Sequence, residues 1–291
     1  MMETTDLLKK VRKIEIKTRG LSRQIFSGQY HSAFKGRGMA FNEVREYQYG
    51  DDIRNIDWNV TARFNHPYIK VFEEEREMTV MLVIDVSGSN EFGAVGRVKE
   101  EVITEIAAVL AFSAIHNNDK VGVIFFSDQV ERFIPPKKGT QHILRIIREL
   151  IDFRPAHRST DIAFALKYLR NVIKKRSVAF LISDFHDSGF EEALRIVARK
   201  HDLVCLRVMD ERETAIPPAG LMKFRDAETG KDYWIDTSSR ALQEGIKKKV
   251  NDHERRLKEA FSRARVDQAL IRTDQDFVPP LIQLFKRRSH T

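Results

Sequence analysis

The sequence predicts an α/β protein: a doubly wound, mostly parallel sheet with helices on both faces, preceded by an irregular N-terminal extension with short strands. Three observations predict it. Short apolar runs recur at 78–84, 120–126, 177–183, 202–208 and 266–273, each the length of a strand buried on both faces. Between them lie stretches with helical spacing of apolar residues, long enough for right-handed crossovers to parallel neighbours. The run Val80–Ile84 then breaks into Asp85, Ser87 and Ser89 at alternate positions around Gly88. Ligands of open parallel sheets sit outside the carboxyl ends of the central strands, so this strand end is where chemistry is expected.

Residues 3–17 carry Leu7, Leu8, Val11, Ile14 and Ile16 among lysines, the approximate apolar face of a helix. Gly20–Gly38 has no period and reads as a loop. Phe41–Phe64 mixes charges with Val44, Tyr47, Tyr49, Ile53, Ile56, Trp58 and Val60, and this alternation predicts short strands around a turn at Gly50. Its Asp51, Asp52, Arg54, Asp57 and Arg63 suit an interlocked ion-pair network more than a binding surface. A largely apolar helix is expected at 97–116. Gln129–Ile134 reads as an antiparallel edge strand stopped by Pro135 and Pro136, and amphipathic helices follow at 140–152, 161–173 and 189–200. Leu221–Asp236 predicts a hairpin turning at Thr229–Gly230 beside the sheet, and Ser239–Ala264 a long helix whose lysines and arginines line a solvated face. Phe277–Lys286 reads as a closing helix with Pro279 and Pro280 in its first turn. The chain thus divides into an extension, 1–77, and an α/β domain, 78–291.

With 291 residues, 42% hydrophobic and 32% charged, the chain can bury a sizeable core and lacks the composition of a disordered one. No apolar run approaches the roughly 20 residues of a membrane span, and the first residues lack the apolar region of a secretion signal. The single cysteine, Cys205, lies in the apolar run Leu203–Val208 and fits a reducing compartment. A cytoplasmic protein is expected. The net charge of +8 favours acidic partners in general, but the basic residues are spread among 42 acidic ones without zinc-finger spacing or an RNA-binding motif. Nucleic-acid binding through the basic C-terminal helix therefore rests on charge alone and is not expected.

Asp85, Ser87 and Ser89 offer one carboxylate and two hydroxyls, an all-oxygen set that suits a hard cation such as Mg²⁺. A turn capping the next helix draws on the same residue types. Two later positions add to the set: Thr160 opens a helix in RSTDIAFAL, and Asp184 ends a strand in LISDFHD. DxSxS, then a Thr before a helix, then an Asp after an apolar strand, resembles the metal-ion-dependent adhesion site of von Willebrand factor A domains. The resemblance implies a von Willebrand A-type, Rossmann-like sheet. It further implies Ser87, Ser89 and Thr160 as hydroxyl ligands of Mg²⁺, with Mn²⁺ or Ca²⁺ as substitutes, and Asp85 and Asp184 holding coordinated water. An open coordination position would then take a carboxylate from a protein partner. His186 reads as a loop histidine.

Upstream, Gly36–Arg63, with FNEVREYQYGDDIRNIDWNVTAR, resembles the bacterial family catalogued as domain of unknown function 58 (DUF58), in which such a segment precedes a von Willebrand A-like domain. Members are commonly found beside MoxR-type AAA+ ATPases, which implies a chaperone-like or assembly role, and the leading expectation is a non-enzymatic, Mg²⁺-dependent protein-binding module working with such an ATPase. The enzyme alternative is a metal-dependent phosphatase or other hydrolase. An aspartyl-phosphate enzyme would want a second carboxylate at position 87, where this chain has Ser, and a nucleophile elbow would want Gly at 85, where it has Asp. No P-loop is present in the sequence.

Overall fold

The computed structural model describes residues 11–15, 17, 18, 21, 40–73, 77–91, 98–213, 217–225 and 232–289. They fall into two compact units, one within Lys35–Met78 and the other made of what precedes and follows it. The expected extension is thereby divided: helical residues between 11 and 18 group with the larger unit, where Lys17 pairs with Glu105 at 2.8 Å. The expected helix start at 3–10, most of the 20–38 loop and the turn at Thr229–Gly230 lie outside the described residues.

In the smaller unit, β1 (Ala40–Glu46) pairs antiparallel with β2 (Tyr68–Glu73). The turn at Gly50 is present with φ +106°, a conformation that favours glycine. The second strand expected after it is absent, because Asp57 starts a helix instead. Its carboxylate accepts from Asn59 N–H and Val60 N–H and caps α1 (Trp58–Phe64), which Asn65 ends in the left-handed conformation. Satisfying two backbone donors at once wins over strand pairing here. Among the described residues the charges form separate pairs, not the interlocked network expected. Arg45 grips Asp51 through bonds of 2.9 and 2.8 Å, Arg54 pairs with Asp52, and Lys70 lies 3.5 Å from Asp57.

The larger unit is built on β3 (Thr79–Asp85), β4 (Lys120–Phe126), β5 (Val130–Lys137), β6 (Val178–Ser183), β7 (Asp202–Met209) and β10 (Asp267–Arg272), in the spatial order β10-β7-β6-β3-β4-β5. Every neighbouring pair is parallel except β4 with β5. β5 runs through Pro135 and Pro136 to Lys137, past the expected stop, because on an edge the missing proline N–H groups cost no ladder bond. It also crosses β4 closely: a Cβ on Gly122 would stand 2.8 Å from Met81 Sδ and 2.9 Å from Pro136 N. The hairpin β8 (Leu221–Arg225) and β9 (Asp232–Asp236) forms a separate two-stranded sheet.

Helices cover both faces. Met81, Val83, Ile124, Phe126, Ala179 and Leu181 join one core with Leu166, Leu194 and Phe261, which belong to α4 (Ile162–Val172), α5 (Glu191–Lys200) and α6 (Arg240–Ala264). Alternate strand residues face α2 (Lys99–His116), α3 (Thr140–Asp152) and α7 (Val278–Ser289), with Phe180 against Phe285 and Phe125 against Phe153. The chain leaves β3 for β4 and β5 on one side and then returns to β6 on the other, so the strand order reverses between β3 and β6.

Candidate metal centre

Three loops meet outside the carboxyl ends of β3 and β6, at the point of reversal where open α/β sheets bind ligands. The loop after β3 is pinned by Val86 N–H donating to Phe126 O at 2.8 Å and Gly88 N–H donating to Arg158 O at 3.0 Å. The loop before α4 is held by Asp161 N–H donating to Ser127 O at 2.9 Å and Ile162 N–H donating to Asp187 Oδ2 at 2.8 Å. Thr160 therefore lies between one residue bonded to the Asp85 loop and another bonded to the Asp184 loop. It is not the helix cap. Asp161 is, its carboxylate accepting from Phe164 N–H at 2.7 Å.

Asp85 is 1% exposed, and its two oxygens accept from Ser87 N–H at 2.9 Å and from the Ser183 hydroxyl at 2.7 Å. Ser183 in turn accepts from Phe185 N–H at 3.0 Å, which ties the two strand ends together. The hydroxyls of Ser87 and Ser89 stand 3.1 Å apart. Asp184, 2% exposed, accepts from His186 N–H at 3.1 Å and from Lys99 Nζ at 3.0 Å. Between them Phe185 holds φ at 60°, costly for a bulky residue and offset by its fully buried ring packing on Phe190 and Phe261. Lys99 is also paired with Glu213, and Glu213 lies 3.6 Å from His186 Nε2. The His186 ring stacks on His253 of α6.

Burial, and then the charge of Asp184, push Asp85 up to about 6. Burial also opposes ionisation of Asp184, but Lys99 and His186 outweigh it and hold Asp184 below the usual carboxylate range. Lys99 stays charged against its burial because Asp184 and Glu213 face it, and the Glu213 carboxylate, 3.6 Å from Nε2 of His186, raises that imidazole.

These residues fit a small hard cation. Adjacent ligands of an octahedral Mg²⁺, each 2.0–2.1 Å from the ion, are separated by about 2.9 Å, close to the spacing of the two serine hydroxyls. The repulsion that lifts Asp85 is charge a cation would neutralise. Ser87, Ser89 and Thr160 would be the hydroxyl donors to such an ion, with Asp85 and Asp184 behind them. Among the described residues no group of three His, Cys, Asp or Glu side chains could hold a metal ion, so a cation here would need other oxygen donors such as these hydroxyls. All five residues expected from the sequence come to one sheet edge. Ser183, Lys99 and Glu213 were missed, and His186 stands on the loop after β6, as expected, with its Nε2 3.6 Å from Glu213.

Residues 43–256 match the family described as "Protein of unknown function DUF58". The chain belongs to DUF58. The match begins in β1, ends in α6 and takes in every residue of the centre. This DUF58 chain is similar to an uncharacterized protein of Mycobacterium tuberculosis (strain H37Rv), 28% identical over 269 residues, covering 91% of this chain and 84% of that one. Among solved structures it is similar to the conserved hypothetical protein BatB from Bacteroides thetaiotaomicron, with 19% identity and a TM-score of 0.47, covering 74% of this chain and 100% of that chain. It is also similar to the SpRpn10 VWA domain, with 12% identity and a TM-score of 0.40, covering 72% and 95%. Among the described residues, no helix is long and apolar enough to cross a membrane.

Proposed function

We propose that this DUF58 protein is a non-enzymatic interaction module that binds a protein partner through Mg²⁺ at the β3–β6 edge, as an assembly factor for a MoxR-type AAA+ ATPase. The family and the α/β fold support an interaction or assembly role. The observation that carries the metal dependence is the pair of serine hydroxyls 3.1 Å apart beside two buried carboxylates, where the strand order reverses. Bound Mg²⁺ would supply an electrophilic position that a partner carboxylate can occupy. The chain's own residues do the rest. Ser87 N–H and Ser183 Oγ fix both oxygens of Asp85, which suits a charge held in place better than a nucleophile presented to substrate. Lys99 keeps Asp184 ionised.

The test is co-purification of the MoxR-type ATPase with the full chain from its native cell, in Mg²⁺ and in EDTA. Capture in Mg²⁺ that is lost in EDTA and lost with Ser87→Ala is expected. Equal capture in all three conditions overturns the metal dependence. Hydrolysis of a generic phosphoester that survives repurification and disappears in Asp85→Ala overturns the non-enzymatic reading.

A further inference from the structure

We infer that Lys99 is a tethered cation that competes with a divalent ion for Asp184, and that Glu213 takes over its ammonium when the ion enters, so that this pair sets the affinity of the centre. The inference rests on the metal reading above. Lysines in the first turn of a helix ordinarily keep the ammonium in water, but Lys99 is fully buried, its side chain turned onto Asp184 and Glu213. A buried ammonium persists only while carboxylates face it. The two it has are not equivalent. Asp184 is engaged on both oxygens, by Lys99 and by His186 N–H. Glu213 Oε2 is buried and has no hydrogen-bond partner among the described residues, with His186 Nε2 at 3.6 Å. Acceptor capacity therefore remains on the side away from the centre. The ammonium has three protons to place there. A divalent ion arriving at Asp184 repels Lys99, and the spare oxygen of Glu213 lets the charge withdraw without being stranded. Glu213 sits in a short turn after β7, while Lys99 opens α2 and Asp184 follows β6, so the hand-over requires movement of a side chain and of no sheet strand.

Mn²⁺ binding to the full chain, followed by titration calorimetry, tests this. Glu213→Gln is expected to weaken binding by about tenfold, because the displaced ammonium then meets only a neutral amide. The double variant Lys99→Met/Glu213→Gln is expected to bind about tenfold more tightly than wild type, since the competitor is gone. Binding by the double variant alone, with none by wild type, supports the inference in its strongest form. Wild-type affinity in Glu213→Gln overturns it, as does a double variant no tighter than Glu213→Gln, which would make Lys99 a support of Asp184. Absence of binding in both wild type and double variant means instead that the centre holds no metal. Circular dichroism without metal establishes that the variants fold, and if the double variant does not, Glu213→Gln decides alone.

Discussion

The two ends of one sheet solve the same problem differently. At the carboxyl end, Asp85, Asp184 and Lys99 are all at most 2% exposed, and the last two are held as ions. At the amino end, Ser177 and His201 are also buried, at 4% and 1% exposed, yet they meet in one hydrogen bond of 2.9 Å between Ser177 Oγ and His201 Nδ1, and the imidazole is neutral. Burial, helped by the charges of Lys200 and Arg176, brings His201 down to about 4. A neutral pair is a cheaper way to bury polarity than an ion, and Ser177 and His201 use it. Buried ions cost stability, and the proposed centre is where this chain carries Asp184 and Lys99 as a buried ion pair.

The largest effect expected from this contrast follows removal of Lys99. Lys99→Met leaves Asp184 and Glu213 buried without their ammonium and should cost about 3–5 kcal/mol in EDTA. Ser177→Ala at the opposite end should cost only about 1–3 kcal/mol, the loss of one buried hydrogen bond. Denaturant melts of the two variants compare the ends directly, and equal losses would erase the distinction.

The second effect is the pH dependence that His201 contributes at the amino end. His201 is depressed in the folded protein from 6.5 to about 4, so below about 6.5 the unfolded chain takes up a proton that the folded chain refuses. Stability present at neutral pH is therefore lost as pH falls from about 6.5 to about 4, by roughly 3 kcal/mol in all. His201→Asn should flatten that part of the profile. If wild type and variant lose stability in parallel between pH 7 and pH 4.5, His201 is not a buried neutral group.

The third effect belongs to the carboxyl end. Mg²⁺ bound only by the folded state at about ten times its Kd adds roughly 1.4 kcal/mol, a rise of a few degrees in Tm. Asp85→Ala should abolish that rise while leaving the protein folded. An equal Mg²⁺ response in wild type and Asp85→Ala would reduce the five site residues to turn formers.

The sheet and both carboxylate strand ends were legible because Asp85 and Asp184 each interrupt an apolar run too abruptly to continue a buried strand. Lys99 was not. Followed by Glu100 and Glu101 at a helix start, it has the local pattern of a solvated first turn, and only the position of α2 against the sheet edge turns its ammonium inward. Glu213 had no local signal either, since its role depends on β7 ending beside β6. In the smaller unit the failure was one of competition between patterns. The alternation of Ile53, Ile56, Trp58 and Val60 read as strand, whereas Asp57 two residues before Asn59 was the capping signal that prevailed.

The smallest effect separates two neighbours at the start of α4. Asp161 accepts from Phe164 N–H and caps the helix, so Asp161→Ala should cost about 1 kcal/mol whether or not Mg²⁺ is present. Thr160 has no part in that cap, and Thr160→Ala should change stability in EDTA by no more than about 0.5 kcal/mol. In the proposed centre its hydroxyl would be the third donor to the ion, so the same variant should show a reduced rise in Tm across a Mg²⁺ titration. The two substitutions thus predict opposite patterns from adjacent residues: a constant offset for Asp161→Ala and a metal-dependent one for Thr160→Ala. A Thr160→Ala protein that is destabilised equally with EDTA and with saturating Mg²⁺ would remove Thr160 from the centre and leave only the serine pair and the two carboxylates to hold a cation.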